Sequence, residues 1–167
     1  MELRRGDLRD LPVLMGLHDE AVAWMVARGN TEQWGTEPWS EDPAKTAGVR
    51  NAVTDGELWF AEIDGEPVGA LVVTDSAPAY TKAAPEPELY VRILISSRRH
   101  AGKKIGSALL RFARERAREQ RAALLRLDCY AGGTGDLVRY YIDQGFTPTE
   151  PFTTITGWPG QLLEQRV

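Results

Sequence analysis

Arg98-Arg99-His100-Ala101-Gly102-Lys103-Lys104-Ile105-Gly106-Ser107-Ala108-Leu109-Leu110 is a basic turn, punctuated by glycine, that opens into a helix. After Ile105 the apolar positions fall at Leu109, Phe112 and Ala113, the rhythm of one helix face. Just before it, Tyr90-Val91-Arg92-Ile93-Leu94-Ile95 is an apolar, β-branched strand run. The order is therefore strand, basic glycine turn, helix. A helix N-terminus presents unpaired N–H groups and positive dipole density, and glycine lets a ligand approach the backbone. That combination binds phosphate.

Two familiar phosphate loops are excluded. Gly106 is followed by Ser107 and Ala108, so Gly-x-x-x-x-Gly-Lys-(Ser/Thr) does not occur, and neither does Gly-x-Gly-x-x-Gly. The segment resembles motif A of the GNAT superfamily of N-acetyltransferases, (Arg/Gln)-x-x-Gly-x-(Gly/Ala), over Ala101-Gly102-Lys103-Lys104-Ile105-Gly106. In that family the turn cradles the pyrophosphate of coenzyme A. Two positions depart from the pattern. Ala101 stands where Arg or Gln is usual and removes a donor. Lys104 stands where a glycine is usual and places a Cβ there, while Lys103 and Lys104 add two positive charges.

A second segment points the same way. Leu124-Leu125-Arg126-Leu127-Asp128-Cys129-Tyr130 has a strand pattern, and Ala131-Gly132-Gly133-Thr134-Gly135 follows as a flexible loop. Asp136 to Phe146 then reads as a short helix stopped by Gly145. Tyr141-x-x-x-Gly145-Phe146 resembles motif B of the same superfamily, at the expected distance after motif A.

The 167 residues suggest one domain, 1–167, with room for a sizeable core. Apolar content of 43% and charged content of 26% are ordinary for a globular protein, and a net charge of −4 argues against a nucleic-acid partner. No apolar run is long enough for a membrane span, and Met1-Glu2-Leu3-Arg4-Arg5 is not a signal peptide. One cysteine and two histidines offer no internal disulfide and no metal constellation, which fits a reducing cytoplasm.

Along the chain, Glu2 to Arg5 reads as a short strand, and Asp10 as the N-cap of a helix running to about Arg28, with Pro12 in its first turn. Leu11, Leu14, Leu17, His18, Ala21, Val22 and Met25 trace the inner face of that helix. Thr31 to Pro43 is polar and carries Trp34 and Trp39. A weak helix covers Ala44 to Val53. Strands at Glu57–Ile63 and Val68–Thr74 flank the hairpin signal Asp64-Gly65-Glu66. Ser76 to Pro87 is a proline-bearing loop. Phe146–Thr154 and Leu162–Val167 supply the last strands, joined by Gly157-Trp158-Pro159-Gly160. The resulting order is strand, helix, helix, three strands, helix, strand, helix, two strands. It is similar to the GNAT fold: an α/β (α+β) single domain with a central mixed, mostly antiparallel sheet of six to seven strands and about four helices.

The resemblance implies acetyl transfer from acetyl-CoA to a primary amine of a small molecule or peptide, by direct attack in a ternary complex. It implies coenzyme contacts from Ala101, Gly102, Lys103, Lys104, Gly106 and Ser107. It also implies a main-chain N–H near Leu94, Ile95 or Ser96 that polarises the thioester carbonyl, with the pantetheine arm between parting fourth and fifth strands. Tyr141 is the candidate general acid, since a phenol with a pKa of about 10 stays protonated at neutral pH. Tyr140, next to it, reads as packing. The base stays open among Tyr90, Glu88 on the same strand face, Asp128, and a water chain. His100 lies too far along the turn to serve. His18 reads as structural and Cys129 as core. Trp34 and Trp39, amid Glu32, Glu37, Glu41 and Asp42, either contact a cationic acceptor through their rings or anchor a long loop. A non-catalytic CoA-binding sensor on the same fold, or an unrelated phosphate-ligand binder, are the competing functions. As partners, the sequence suggests the amine acceptor, no nucleic acid, no membrane, and a monomer or homodimer.

Overall fold

The computed structural model describes residues 1–167. Its elements are β1 (Glu2–Gly6), α1 (Leu11–Ala27), α2 (Pro43–Asp55), β2 (Glu57–Ile63), β3 (Glu66–Thr74), β4 (Glu88–Ser96), α3 (Ile105–Glu119), β5 (Leu124–Tyr130), α4 (Asp136–Asp143), β6 (Thr147–Thr153) and β7 (Pro159–Arg166). The seven strands follow one another in a single mixed sheet in the order β1-β2-β3-β4-β5-β7-β6. This is the expected architecture. No helix is long and apolar enough to cross a membrane.

The contacts divide the chain into two compact units. The first comprises Met1–Thr74 and Arg92–Leu109; the second comprises Asp75–Val91 and Leu110–Val167. In the first unit β1, β2 and β3 are antiparallel neighbours. Asp64 and Gly65 both take left-handed backbone, at φ +52° and +78°, which makes the two-residue turn between Ile63 and Glu66 match the twist of the strands. The core of this unit is Leu11, Leu14, Met15 and Leu17 of α1, Val49, Ala52 and Val53 of α2, and Leu58, Phe60, Ala70, Val72 and Ile95 of the sheet.

Asp10 does not cap α1 with its side chain. Pro12 supplies no N–H to receive such a cap, and a 3-10 turn over Leu8–Asp10 comes first. The Asp10 carboxylate instead accepts from the Asp7 N–H at 3.0 Å and from the Arg4 guanidinium at 3.2 Å. The cap that the sequence reading overlooked is Asp42, whose carboxylate accepts from the N–H groups of Ala44 and Lys45. Capped in this way, α2 starts before Ala44 and continues past Val53.

In the second unit β5 pairs parallel with β4 from Glu88↔Leu124 to Val91↔Leu127, and antiparallel with β7 from Leu124↔Arg166 to Tyr130↔Gly160. β6 covers the far side of β7. β7 begins at Pro159, inside the expected turn, because Gly160 pairs with Phe152 and lies beneath its ring. A Cβ on Gly160 would fall 2.3 Å from Phe152 Cζ.

Candidate active site

The turn at residues 97–107 lies in the first unit. Ser97 is buried and accepts the Arg99 N–H on Oγ at 3.3 Å. Its own hydroxyl donates to Glu20 of α1 at 2.9 Å, and the Arg98 N–H donates to the same carboxylate oxygen at 2.8 Å. Arg98 lays its guanidinium on the Trp24 ring at 3.7 Å. A 3-10 turn follows over Arg98–His100. Gly102 then takes φ +84° and Lys104 φ +56° before α3 starts at Ile105. The left-handed region costs a residue with a Cβ roughly 1–2 kcal/mol and costs glycine little, which explains why glycine is usual at the Lys104 position.

Ile105 seats this turn from below. A Cβ on Gly69 of β3 would lie 2.7 Å from Ile105 Cγ2 and 3.0 Å from the Ile95 carbonyl, so the close approach of α3 requires a glycine there. Ala101, Gly102, Lys103 and Lys104 are exposed, and Gly106 and Ser107 are half-buried. The first intrahelical acceptor is the Lys104 carbonyl, which takes the Ala108 N–H at 3.1 Å. The N–H groups just before it open the helix. The buried Nε of Arg98 and Nδ1 of His100 have no protein partner. Open N–H groups, two exposed lysines and two orphaned nitrogens fit a polyanionic ligand such as the pyrophosphate of acetyl-CoA. At the end of β4, Leu94 and Ser96 are half-buried and Ile95 is buried.

The second unit holds the titratable cluster. The β4–β5 ladder stops at Val91↔Leu127, although β4 runs on to Ser96 and β5 to Tyr130. Glu88 and Arg126 form a buried bidentate pair: Arg126 Nε donates to Oε1 and Nη2 to Oε2, each at 2.9 Å. Glu88 Oε2 also accepts the Ala84 N–H at 2.6 Å, and Arg126 Nη2 donates to the Lys82 carbonyl at 2.8 Å. The candidate base Glu88 is thus engaged as a structural ion pair that ties down residues 82–84.

Tyr90, the other strand-four candidate, is fully buried and donates to Asp128 Oδ2 at 2.5 Å. Burial first, and then the Asp128 charge, push its phenol up from the ordinary value. The Tyr90 phenol thus stays protonated and holds the Asp128 carboxylate in place. The same Oδ2 accepts from Tyr80 at 2.8 Å. The sequence pattern did not bring Tyr80 into view, because it sits in a loop without periodicity. Cys129 is buried, and burial together with Asp128 pushes its thiol up to about 12, which keeps it un-ionised.

Tyr141 is buried on α4. Gly145 at φ +96° bends the chain so that the Phe146 N–H donates to the Tyr141 carbonyl at 3.0 Å. The Phe146 ring then meets the Tyr141 ring edge-on at 6.0 Å. This accounts physically for the Tyr-x-x-x-Gly-Phe spacing. Burial raises the Tyr141 phenol, with smaller contributions from Cys129, Tyr140 and Asp128. Tyr140 packs against the Tyr141 ring at 5.1 Å, as expected of a packing residue.

Trp34 and Trp39 lie in the first unit and stack with buried His18, at 5.3 and 4.9 Å respectively and 4.7 Å from one another. Trp39 Nε1 donates to the Trp34 carbonyl at 3.0 Å, and Lys45 Nζ donates to the same oxygen at 3.1 Å while lying 5.1 Å above the Trp39 ring. Both indoles pack on the core, so this geometry matches the loop-anchoring alternative. His18 binds the Leu14 carbonyl through Nδ1 at 2.9 Å, and burial lowers its pKa, consistent with a neutral structural histidine.

Comparison with known proteins bears on both motifs. No curated protein sequence matches the chain. Solved structures match it over nearly its whole length at low identity. An acetyltransferase of the GNAT family from Listeria monocytogenes is 18% identical, covering 99% of this chain and 94% of that one, with a TM-score of 0.74. A ribosomal-protein-alanine N-acetyltransferase from Brucella melitensis is 20% identical, covering 100% of both, with a TM-score of 0.68. The PaiA N-acetyltransferase from Thermoplasma acidophilum, solved in complex with coenzyme A, is 20% identical over 99% of this chain and 98% of its own, also at 0.68. These likenesses establish the fold. The sequence model of the acetyltransferase (GNAT) family matches residues 17–146, from the middle of α1 through both motifs to Phe146. With that match over most of its length, this chain belongs to the GNAT acetyltransferase family.

Proposed function

We propose that the chain, acting as one domain over 1–167, transfers the acetyl group of acetyl-CoA to a primary amine of a small molecule or peptide, with both substrates bound together. The observation that carries this reading is the turn before α3. Gly102 and Lys104 both take left-handed backbone there, a conformation that glycine adopts readily, and Lys104 adopts it although it replaces the usual glycine, which supports the turn as the phosphate site. The N–H groups of Gly102, Lys104, Gly106 and Ser107 hold the pyrophosphate, the Lys103 N–H being taken by the His100 carbonyl at 3.2 Å, and the side chains of Lys103 and Lys104 add charge. Ala101 contributes backbone alone.

A main-chain N–H within Leu94–Ser96 stabilises the negative charge that develops on the thioester oxygen. The deprotonated amine attacks the carbonyl carbon; the C–N bond forms, the C–S bond breaks, and the surplus amine proton leaves to solvent. Tyr141 protonates the departing thiolate and is recharged from solvent. Its phenol is raised, yet so is the neighbouring Cys129 thiol, to about 12.

The test is calorimetry with acetyl-CoA on the wild type and on Gly106→Glu, followed by a thiol-release assay across an amine library. The expected result is binding by the wild type and at least a tenfold loss in a folded variant. A folded Gly106→Glu protein with unaltered affinity would refute the assignment of the turn.

A further inference from the structure

Asp128 stands on β5 one residue past the last β4–β5 pair. Two phenols donate to its Oδ2, and their settings differ. Tyr90 is fully buried on β4, whereas Tyr80 is 58% exposed, with its ring 5.8 Å from Phe152. Tyr80 belongs to the loop between β3 and β4, whose stem is fixed. Arg126 holds the Lys82 carbonyl, Glu88 holds the Ala84 N–H, and Arg166 pairs with Glu86. Closer to the tip, Thr81 closes a turn onto the Pro78 carbonyl at 3.0 Å. Thr81 also hydrogen-bonds Tyr90, so the part that moves is the exposed Tyr80 side chain, whose rotation alone releases Asp128.

We propose that Asp128 receives the ammonium group of the acceptor amine, and that Tyr80 is a gate occupying the same carboxylate until the acceptor arrives. This rests on the acetyl-transfer reading above and names its substrate class: amines that are protonated at neutral pH. Both a phenol and an ammonium make charge-assisted bonds to a carboxylate, but only the ammonium adds an opposite full charge, and that Coulomb attraction lets the acceptor displace the phenol. Tyr80 is exposed and exchanges Asp128 for water at little cost. Tyr90 is buried and stays, which keeps the carboxylate aimed.

The full chain saturated with CoA is titrated by calorimetry with butylamine, a cation at pH 7, and with methoxyamine, which is neutral there. The wild type should prefer butylamine at least tenfold. Asp128→Asn should abolish that preference and leave CoA affinity within twofold. Tyr80→Phe, which removes the gate's donor, should tighten butylamine two- to fivefold. A wild type that does not discriminate, or a folded Asp128→Asn protein that still does, overturns the proposal. If Asp128→Asn does not fold, unchanged butylamine affinity in Tyr80→Phe overturns it. Failure of the wild type to bind CoA in the first titration refutes the acetyl-transfer reading and the gate with it; CoA binding without amine discrimination refutes the gate alone.

Discussion

Replacing Glu88 by glutamine separates a structural ion pair from a catalytic base. Glu88 receives three hydrogen bonds, two from Arg126 and one from Ala84, and the two side chains are only 4% and 6% exposed. Glutamine keeps the shape and one acceptor. Its NH2 group, however, faces an Arg126 N–H in either orientation, and in one of them the Ala84 N–H as well, donor against donor. The Arg126 charge then stays buried without a counter-charge, a situation that costs about 3–5 kcal/mol. For a chain of this size each kcal/mol corresponds to roughly 2–4 °C in Tm, so Glu88→Gln should melt about 6–20 °C lower. Differential scanning calorimetry measures this, and Glu88→Gln/Arg126→Met, which removes the orphaned charge, should recover much of it. Thiol release at a temperature where the variant is folded should stay close to wild type. A fall in Tm below about 2 °C refutes the buried-pair reasoning. A folded variant that loses turnover more than tenfold would return Glu88 to the chemistry.

Three further outcomes follow from the geometry. Tyr141→Phe should lower kcat about a hundredfold, the low end for a general acid, with acetyl-CoA affinity unchanged; full turnover in steady-state assays would leave Tyr141 as packing. Lys104→Gly relieves a left-handed lysine at φ +56° and should raise stability by up to about 1 kcal/mol in urea unfolding, while removing one charge from the turn. His18 has a lowered pKa in the fold, so the unfolded chain binds a proton that the folded chain refuses. Stability should be full above the unfolded value of about 6.5 and decline as pH falls below it, and the decline should flatten in His18→Gln when Tm is followed against pH.

The local parts of this molecule were legible from its sequence. β5 falls where its apolar run predicts, and the Asp64-Gly65 turn, the stop at Gly145 and the turn before α3 all follow from residues a few positions apart. What stayed hidden joins residues far apart in the chain. Glu88 reads as a strand carboxylate until Arg126 is seen to grip it, and Tyr90 reads as a possible base until Asp128 takes its proton bond. Glu20 looks like one more polar residue of α1, yet it accepts from both Ser97 and Arg98 at the head of the turn before α3. The tryptophans show the limit from the other side. Their composition fits a cation site as well as an anchor, and the fold adds only that both rings stack on His18, a contact between residues far apart in the chain.

The ladders of the second unit also bear on how the chain is made. β5 lies between β4 on one side and β7 on the other, and β7 reaches Arg166. During synthesis the residues of the first unit have all emerged once Leu109 has. β5, by contrast, has one edge open until β7 has emerged from the ribosome. An apolar strand with an exposed edge is a template for pairing with other chains. Loss or delay of the eight residues of β7 would therefore leave β5 unpaired on that edge and primed to aggregate.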